Sequence, residues 1–175
     1  MSISLSHFEI KVRHLETMEG FYTRPLGFVV TDRSQPGEHP MVFLSRNPSE
    51  HHQIVLNESD GGGSGTGSLD HLAFRIKDLE ALRSLHGALQ AYGGLTIDTV
   101  SHGTTWSVYF RDPEGNRFEF FVDTPWHVAQ PLRFPIDLSL PDGELKAWIE
   151  KQISSLADFQ PVEQWTKAQQ GRLER

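Results

Sequence analysis

The stretch His7-Phe8-Glu9-Ile10-Lys11-Val12-Arg13-His14-Leu15-Glu16 recurs without a gap as His71-Leu72-Ala73-Phe74-Arg75-Ile76-Lys77-Asp78-Leu79-Glu80. Both copies open on a His, alternate apolar with polar residues, place basic side chains in matching slots and close on Leu-Glu. The echo continues, with Arg46-Asn47-Pro48 answering Arg111-Asp112-Pro113. An internal repeat constrains the architecture more than any single element does. A duplicated module that opens each copy with a strand His can bring the two imidazoles together across a pseudo-twofold axis. A metal site can then be built from residues far apart in sequence.

Outward from the repeat, residues 4–12 alternate as a strand, and Leu15, Met18 and Tyr22 fall at helical spacing until Pro25 and Gly27 stop the helix. Strands are expected at about 28–33, 41–46 and 52–58. Asp60-Gly-Gly-Gly-Ser-Gly-Thr-Gly-Ser68 reads as a flexible linker. It lacks the closing Lys-Ser/Thr and the following helix of a phosphate-cradling loop. The order then repeats: a strand at 69–77, a helix marked by Leu79, Leu82, His86 and Leu89 and stopped by Gly93-Gly94, and strands at about 96–101, 105–111 and 117–123. The expected fold is α+β, with two tandem βαβββ modules, about 4–59 and 69–123, in one domain over 1–123. Residues 124–175 form a C-terminal extension with a helical tail. Leu145, Trp148, Ile149, Gln152, Ile153 and Leu156 trace one face there, which would pack on the domain or on a partner subunit. A homodimer is expected on that ground.

With 175 residues, 37% apolar and 22% charged, the chain has the size and composition of a folded domain. Its apolar runs are strand-sized, which argues against a membrane span. Net charge is −7 with no basic cluster, which argues against nucleic acid and for a small-molecule partner. The N-terminus lacks a basic segment followed by an apolar stretch, and there is no Cys, so a cytoplasmic protein is expected. Any metal must be held by His, carboxylate and water.

The chemistry concentrates in Trp106-Ser-Val-Tyr-Phe-Arg-Asp-Pro-Glu-Gly-Asn-Arg-Phe-Glu-Phe-Phe121. Asp-Pro-Glu-Gly-Asn is turn-rich, and a reversal centred near Glu114 sets Tyr109 opposite Glu119 on one face. Val108, Phe110, Phe118 and Phe120 would take the other face. A carboxylate set among aromatic residues is costly unless it meets a cation or metal. His7, His71 and Glu119 together make a two-His, one-carboxylate set, a donor pattern suited to non-haem Fe(II) with open coordination positions.

The run Ser101-His102-Gly-Thr-Thr-Trp-Ser-Val108-Tyr109-Phe-Arg-Asp112-Pro113-Glu-Gly115-Asn-Arg-Phe-Glu119 resembles the signature of type I extradiol ring-cleavage dioxygenases. That family belongs to the vicinal oxygen chelate (glyoxalase/bleomycin resistance/dioxygenase) superfamily. The resemblance implies that His7, His71 and Glu119 bind Fe(II), with Mn(II) as the alternative, and that Tyr109 and His102 contact a bound aromatic diol. His52 would be the acid-base residue, with His51 as its rival because a one-residue slip reverses the face. A neutral imidazole of ordinary pKa about 6.5 can accept a proton and later return it. The implied reaction is ring opening of a catechol-like diol by O2, in aromatic catabolism.

Two other readings stay open. One is a glyoxalase- or epimerase-like metal-dependent lyase or isomerase, although Gln53 or Ile54 stands where such enzymes place a fourth, glutamate ligand. The other is a non-enzymatic antibiotic-binding protein of the same fold. The spacer after His102 is short for the signature, and the linker after His52 is long. His14, His39, His86 and His127 converge on nothing and receive no role.

Overall fold

The computed structural model describes residues 5–37, 39–60 and 69–173. The Gly-rich linker expected at 60–68 thus falls, from residue 61 on, outside the described residues, as does residue 4 of the first expected strand. In chain order the elements are β1 (Phe8–Val12), α1 (Leu15–Thr23), β2 (Val29–Arg33), β3 (Met41–Ser45), β4 (Ile54–Glu58), β5 (Leu72–Arg75), α2 (Leu79–Tyr92), β6 (Ile97–Ser101), β7 (Thr105–Arg111) and β8 (Arg117–Asp123). The C-terminal extension adds β9 (Trp126–His127), β10 (Phe134–Pro135), α3 (Asp142–Ile153), β11 (Gln160–Pro161) and α4 (Val162–Leu173). The βαβββ order appears twice, and the fold is α+β. No described helix is long and apolar enough to cross a membrane.

The described residues form two compact units, one drawn from 5–71, 88–95 and 111–117, the other from 72–87, 96–110 and 118–173. In the first, the sheet order is β1-β4-β3-β2. β1 runs parallel to β4, with Phe8 beside Ile54, and β3 runs antiparallel to both its neighbours. Met18, Phe21 and Tyr22 of α1 are fully buried, as are Val12, Leu44, Ile54 and Leu56 of the sheet. Burying each such side chain stabilises the fold by roughly 1.5–3 kcal/mol before entropy is charged. The tip of the β7–β8 hairpin belongs to this unit. Asp112 N–H donates to the Asn116 carbonyl and Gly115 N–H to the Asp112 carbonyl, both at 2.9 Å. Gly115 adopts a φ of +90°, which a side chain resists. The reversal is centred at Glu114, as the turn residues predict.

In the second unit the sheet order is β10-β6-β7-β8-β5. β5 runs parallel to β8, setting Leu72 beside Phe118 and Ala73 beside Glu119. Phe110 and Phe74 each stack on both Phe118 and Phe120, with centroids 5.0–6.2 Å apart. One face of the hairpin is therefore aromatic, as the alternation predicts.

The extension is helical, as expected, and carries further elements. Its first strand of note, β10, joins the sheet beside β6, pairing Phe134 with Ser101. A second helix, α4, and the short β9–β11 pair also lie beyond what periodicity indicates. The expected apolar face of α3 divides. Leu145, Ile149 and Ile153, spaced four apart, are fully buried, whereas Trp148 is 42% and Leu156 38% exposed. An i, i+4, i+8 stripe is narrow enough to seat on one surface, and the flanking residues turn outward.

Candidate active site

Parallel pairing of β1 with β4 brings the residues just before each strand side by side. The Phe8 N–H donates to the Gln53 carbonyl at 3.2 Å, and the His7 and His52 rings meet T-shaped with centroids 4.4 Å apart. His51 Nδ1 lies 2.8 Å from His52 Nδ1, so one of the two carries the hydrogen between them. His52 is half-buried, while His51 is exposed, with its Nε2 3.5 Å from an Asp32 carboxylate oxygen. Of the two rivals, His52 is the one packed on His7. Desolvation, and after it the neighbouring His7 and His51 rings, holds the His52 pKa below the ordinary imidazole value. That favours the neutral form, the one able to take a proton.

His71 directly precedes β5. Its Nδ1 stands 2.6 Å from Asp70 Oδ1, and the same oxygen accepts from the Arg117 guanidinium at 2.7 Å. The His71 hydrogen bond, aided by Arg117, keeps the Asp70 carboxyl below its ordinary range. A carboxylate oxygen only accepts, so His71 Nδ1 carries the hydrogen on the side that faces Asp70.

In the second unit Glu119 is 8% exposed, and the Ser107 hydroxyl donates to its Oε1 at 2.7 Å. Alternation along β7 sets Ser107 and Tyr109 on one face, and His102 Nε2 stands 3.9 Å from the same Glu119 oxygen. His102 Nδ1 lies 2.7 Å from the Leu132 carbonyl, which only accepts, so Nδ1 carries the hydrogen. Nε2 lies 3.1 Å from the Tyr109 hydroxyl and, where it carries no hydrogen, accepts from it. Glu119, His102 and Tyr109 are thus brought together, with Ser107 as a member that the sequence reading missed. Its signal was its position two residues before Tyr109 on the same strand.

Other polar side chains have partners of their own. Gln53 Oε1 accepts the Arg46 N–H at 2.9 Å. Arg111 donates to the Gly115 carbonyl at 2.6 Å. His127 stacks on Trp165 with centroids 4.8 Å apart.

Among the described residues, no group of three or more His, Asp and Glu side chains is arranged to hold a metal ion. By residue type alone, the expected donors His7, His71 and Glu119 are of the kind that a divalent cation accepts. They offer two imidazoles and a carboxylate kept from solvent, and the chain has no Cys thiolate to favour a softer metal.

A family model described as the Glyoxalase/Bleomycin resistance protein/Dioxygenase superfamily matches residues 4–120. The chain is 32% identical over 124 residues to biphenyl-2,3-diol 1,2-dioxygenase 3 of Rhodococcus globerulus, a match covering 68% of this chain and 63% of that protein. Among solved structures, a glyoxylase/bleomycin resistance protein/dioxygenase domain from Frankia sp. EAN1pec superposes with a TM-score of 0.61 at 25% identity, covering 71% of this chain and 100% of that one. The fosfomycin resistance protein of Listeria monocytogenes superposes with a TM-score of 0.57 at 20% identity, covering 71% and 96%, and shows likeness of fold.

Proposed function

The chain belongs to the glyoxalase/bleomycin resistance/dioxygenase (vicinal oxygen chelate) superfamily, and from that premise we propose that it is a metal-dependent extradiol dioxygenase. Its substrate would be a catechol-like diol, opened by O2 beside a hydroxylated carbon. The observation that carries this reading is the grouping of Glu119, Ser107, His102 and Tyr109 around one buried carboxylate oxygen and one imidazole. The run from His102 to Glu119 has the residue order of a ring-cleavage signature. The relative named for biphenyl-2,3-diol supports it.

In this reading His7, His71 and Glu119 hold a divalent ion, taken as Fe(II). When bound, such an ion gives a diol a chelation point and lowers the pKa of its hydroxyls. Ser107 holds one oxygen of Glu119 by its hydroxyl, and Asp70 fixes the ring orientation of His71. His52, kept neutral, takes a proton from the diol and returns it later. Tyr109 orients the substrate oxygen through its hydroxyl. His102, in its turn, orients Tyr109.

The test is anaerobic loading of the protein with ferrous iron, followed by O2 uptake with mono- and bicyclic catechols and a watch for a yellow ring-opened product. Uptake with product supports the proposal. Turnover with Ni(II), Co(II) or Zn(II) that is indifferent to O2 replaces it by a lyase or isomerase. Ligand binding that survives removal of Glu119 replaces it by a binding protein.

A further inference from the structure

The family match ends at residue 120, yet the side chain of His102 is held by chain that lies after it. We propose that residues 128–133 form a strap that sets the tautomer of His102, making Gln130 and Leu132 positioning residues of the site. The inference rests on the reading of His102 and Tyr109 as groups that face the diol.

Four contacts build the strap. Leu132 offers its carbonyl to His102 Nδ1 at 2.7 Å. The Gln130 amide nitrogen donates to the His102 carbonyl at 2.7 Å and to the Val128 carbonyl at 3.3 Å, and its Oε1 accepts the Leu132 N–H at 3.1 Å. One side-chain amide therefore ties the loop carrying His102 to the backbone that fixes its ring. Gly103, at φ +75°, lets the strap seat, because a Cβ there would come within 2.2 Å of Val128 Cγ1. Arg133, the last residue of the strap, sets its guanidinium 5.9 Å from the Tyr109 ring centroid, within cation–π range, and pairs with Asp98 at 3.4 Å.

The chemistry is decided by lone pairs. The opposite tautomer would aim the bare Nδ1 lone pair at the Leu132 oxygen 2.7 Å away, two acceptors facing each other. With the hydrogen on Nδ1, the Nε2 lone pair faces the site and holds the Tyr109 hydroxyl hydrogen. His102 is thereby fixed as an acceptor in its neutral form, and Tyr109 as its donor. A substrate oxygen meeting Tyr109 finds a hydroxyl already oriented.

The experiment is long-range 1H–15N correlation on the full chain with 15N-labelled histidine, free of metal and substrate, at about pH 8, above the reference imidazole pKa of about 6.5. The wild type should show His102 as the Nδ1–H form alone. Gln130→Ala should show a mixture of tautomers and, in the ring-opening assay, a fall in kcat/KM of about 10-fold, part of the ~10²–10⁴ that a positioned acid-base group supplies. Tyr109→Phe should keep the Nδ1–H form, since the strap remains. An Nε2–H wild type, an unchanged spectrum for Gln130→Ala, or loss of the Nδ1–H form in Tyr109→Phe overturns the proposal. If Gln130→Ala fails to fold, the wild type and Tyr109→Phe decide it between them. The spectrum needs neither metal nor diol nor O2. A failed ring-opening assay therefore leaves the strap standing, and a wrong tautomer leaves the dioxygenase reading standing.

Discussion

Glu114 grips the backbone of Arg13: both of its carboxylate oxygens accept the Arg13 N–H at 2.8 Å, and Oε1 also takes the His14 N–H at 2.8 Å. His14 is the N-cap residue of α1, and its own side chain makes no capping bond. A buried carboxylate from a hairpin distant in sequence thus holds the backbone that enters the helix, taking the N–H of the N-cap residue itself as the glutamate of a capping box does, and its charge suits a helix N-terminus. Glu114→Ala leaves two backbone donors without this partner, at about 1–3 kcal/mol each. Urea unfolding should show a loss of about 2 kcal/mol or more, with Glu114→Gln losing less. An unchanged midpoint would refute the capping role.

Asp112, two residues earlier in the turn, is 4% exposed and accepts from the Tyr22 hydroxyl, Glu114 N–H, Asn116 N–H and the Asn116 amide. Burial pushes its pKa above the ordinary carboxylate value, and the donors around it pull part of the way back. Because the folded value is the higher one, the folded state holds the proton longer as pH rises. This group therefore adds stability as pH falls toward the ordinary carboxylate range, against the usual trend. Asp112→Asn cannot titrate and should be less stable at neutral pH, because its NH2 faces donors. Thermal melts of the two proteins should separate further on acidification from pH 7 to about 4. Convergence would contradict the assigned direction.

His7→Ala, His71→Ala and Glu119→Ala should each lose Fe(II) binding by calorimetry and by metal content. Asp70→Asn should bind about 10–100-fold more weakly, the usual effect of removing the carboxylate behind a ligating imidazole. Equal affinity in all four would remove the metal assignment.

His52 packs on His7, and His51 faces Asp32. His52→Gln should therefore lower kcat by about 10²-fold or more, the loss of a general acid-base group, while His51→Gln stays within about 3-fold. The reverse ranking would return His51 to the acid-base role.

Much of this was readable from residue order. The alternation in 105–111 and 117–123 and the Asp-Pro-Glu-Gly turn predict the hairpin, its centre and its aromatic face, because period-two patterning and turn chemistry are local. Neighbouring His51 and His52 could not be told apart, since the face of a residue just outside a strand depends on where pairing begins. The strap was invisible for another reason. The partner of His102 is a backbone carbonyl, which every residue possesses, and a two-residue strand such as β10 has no period to detect. Ser107 was legible in position but carries no chemistry that singles it out among serines.

One consequence follows from Pro135. In β10 it lies opposite Val100, at the outermost position of its sheet, and proline has no N–H to lend to a further strand. The extension therefore shields the unpaired rim of β6 and then closes the row against strangers. A chain shortened to the length of the family match would lay that rim bare, inviting strand-to-strand aggregation.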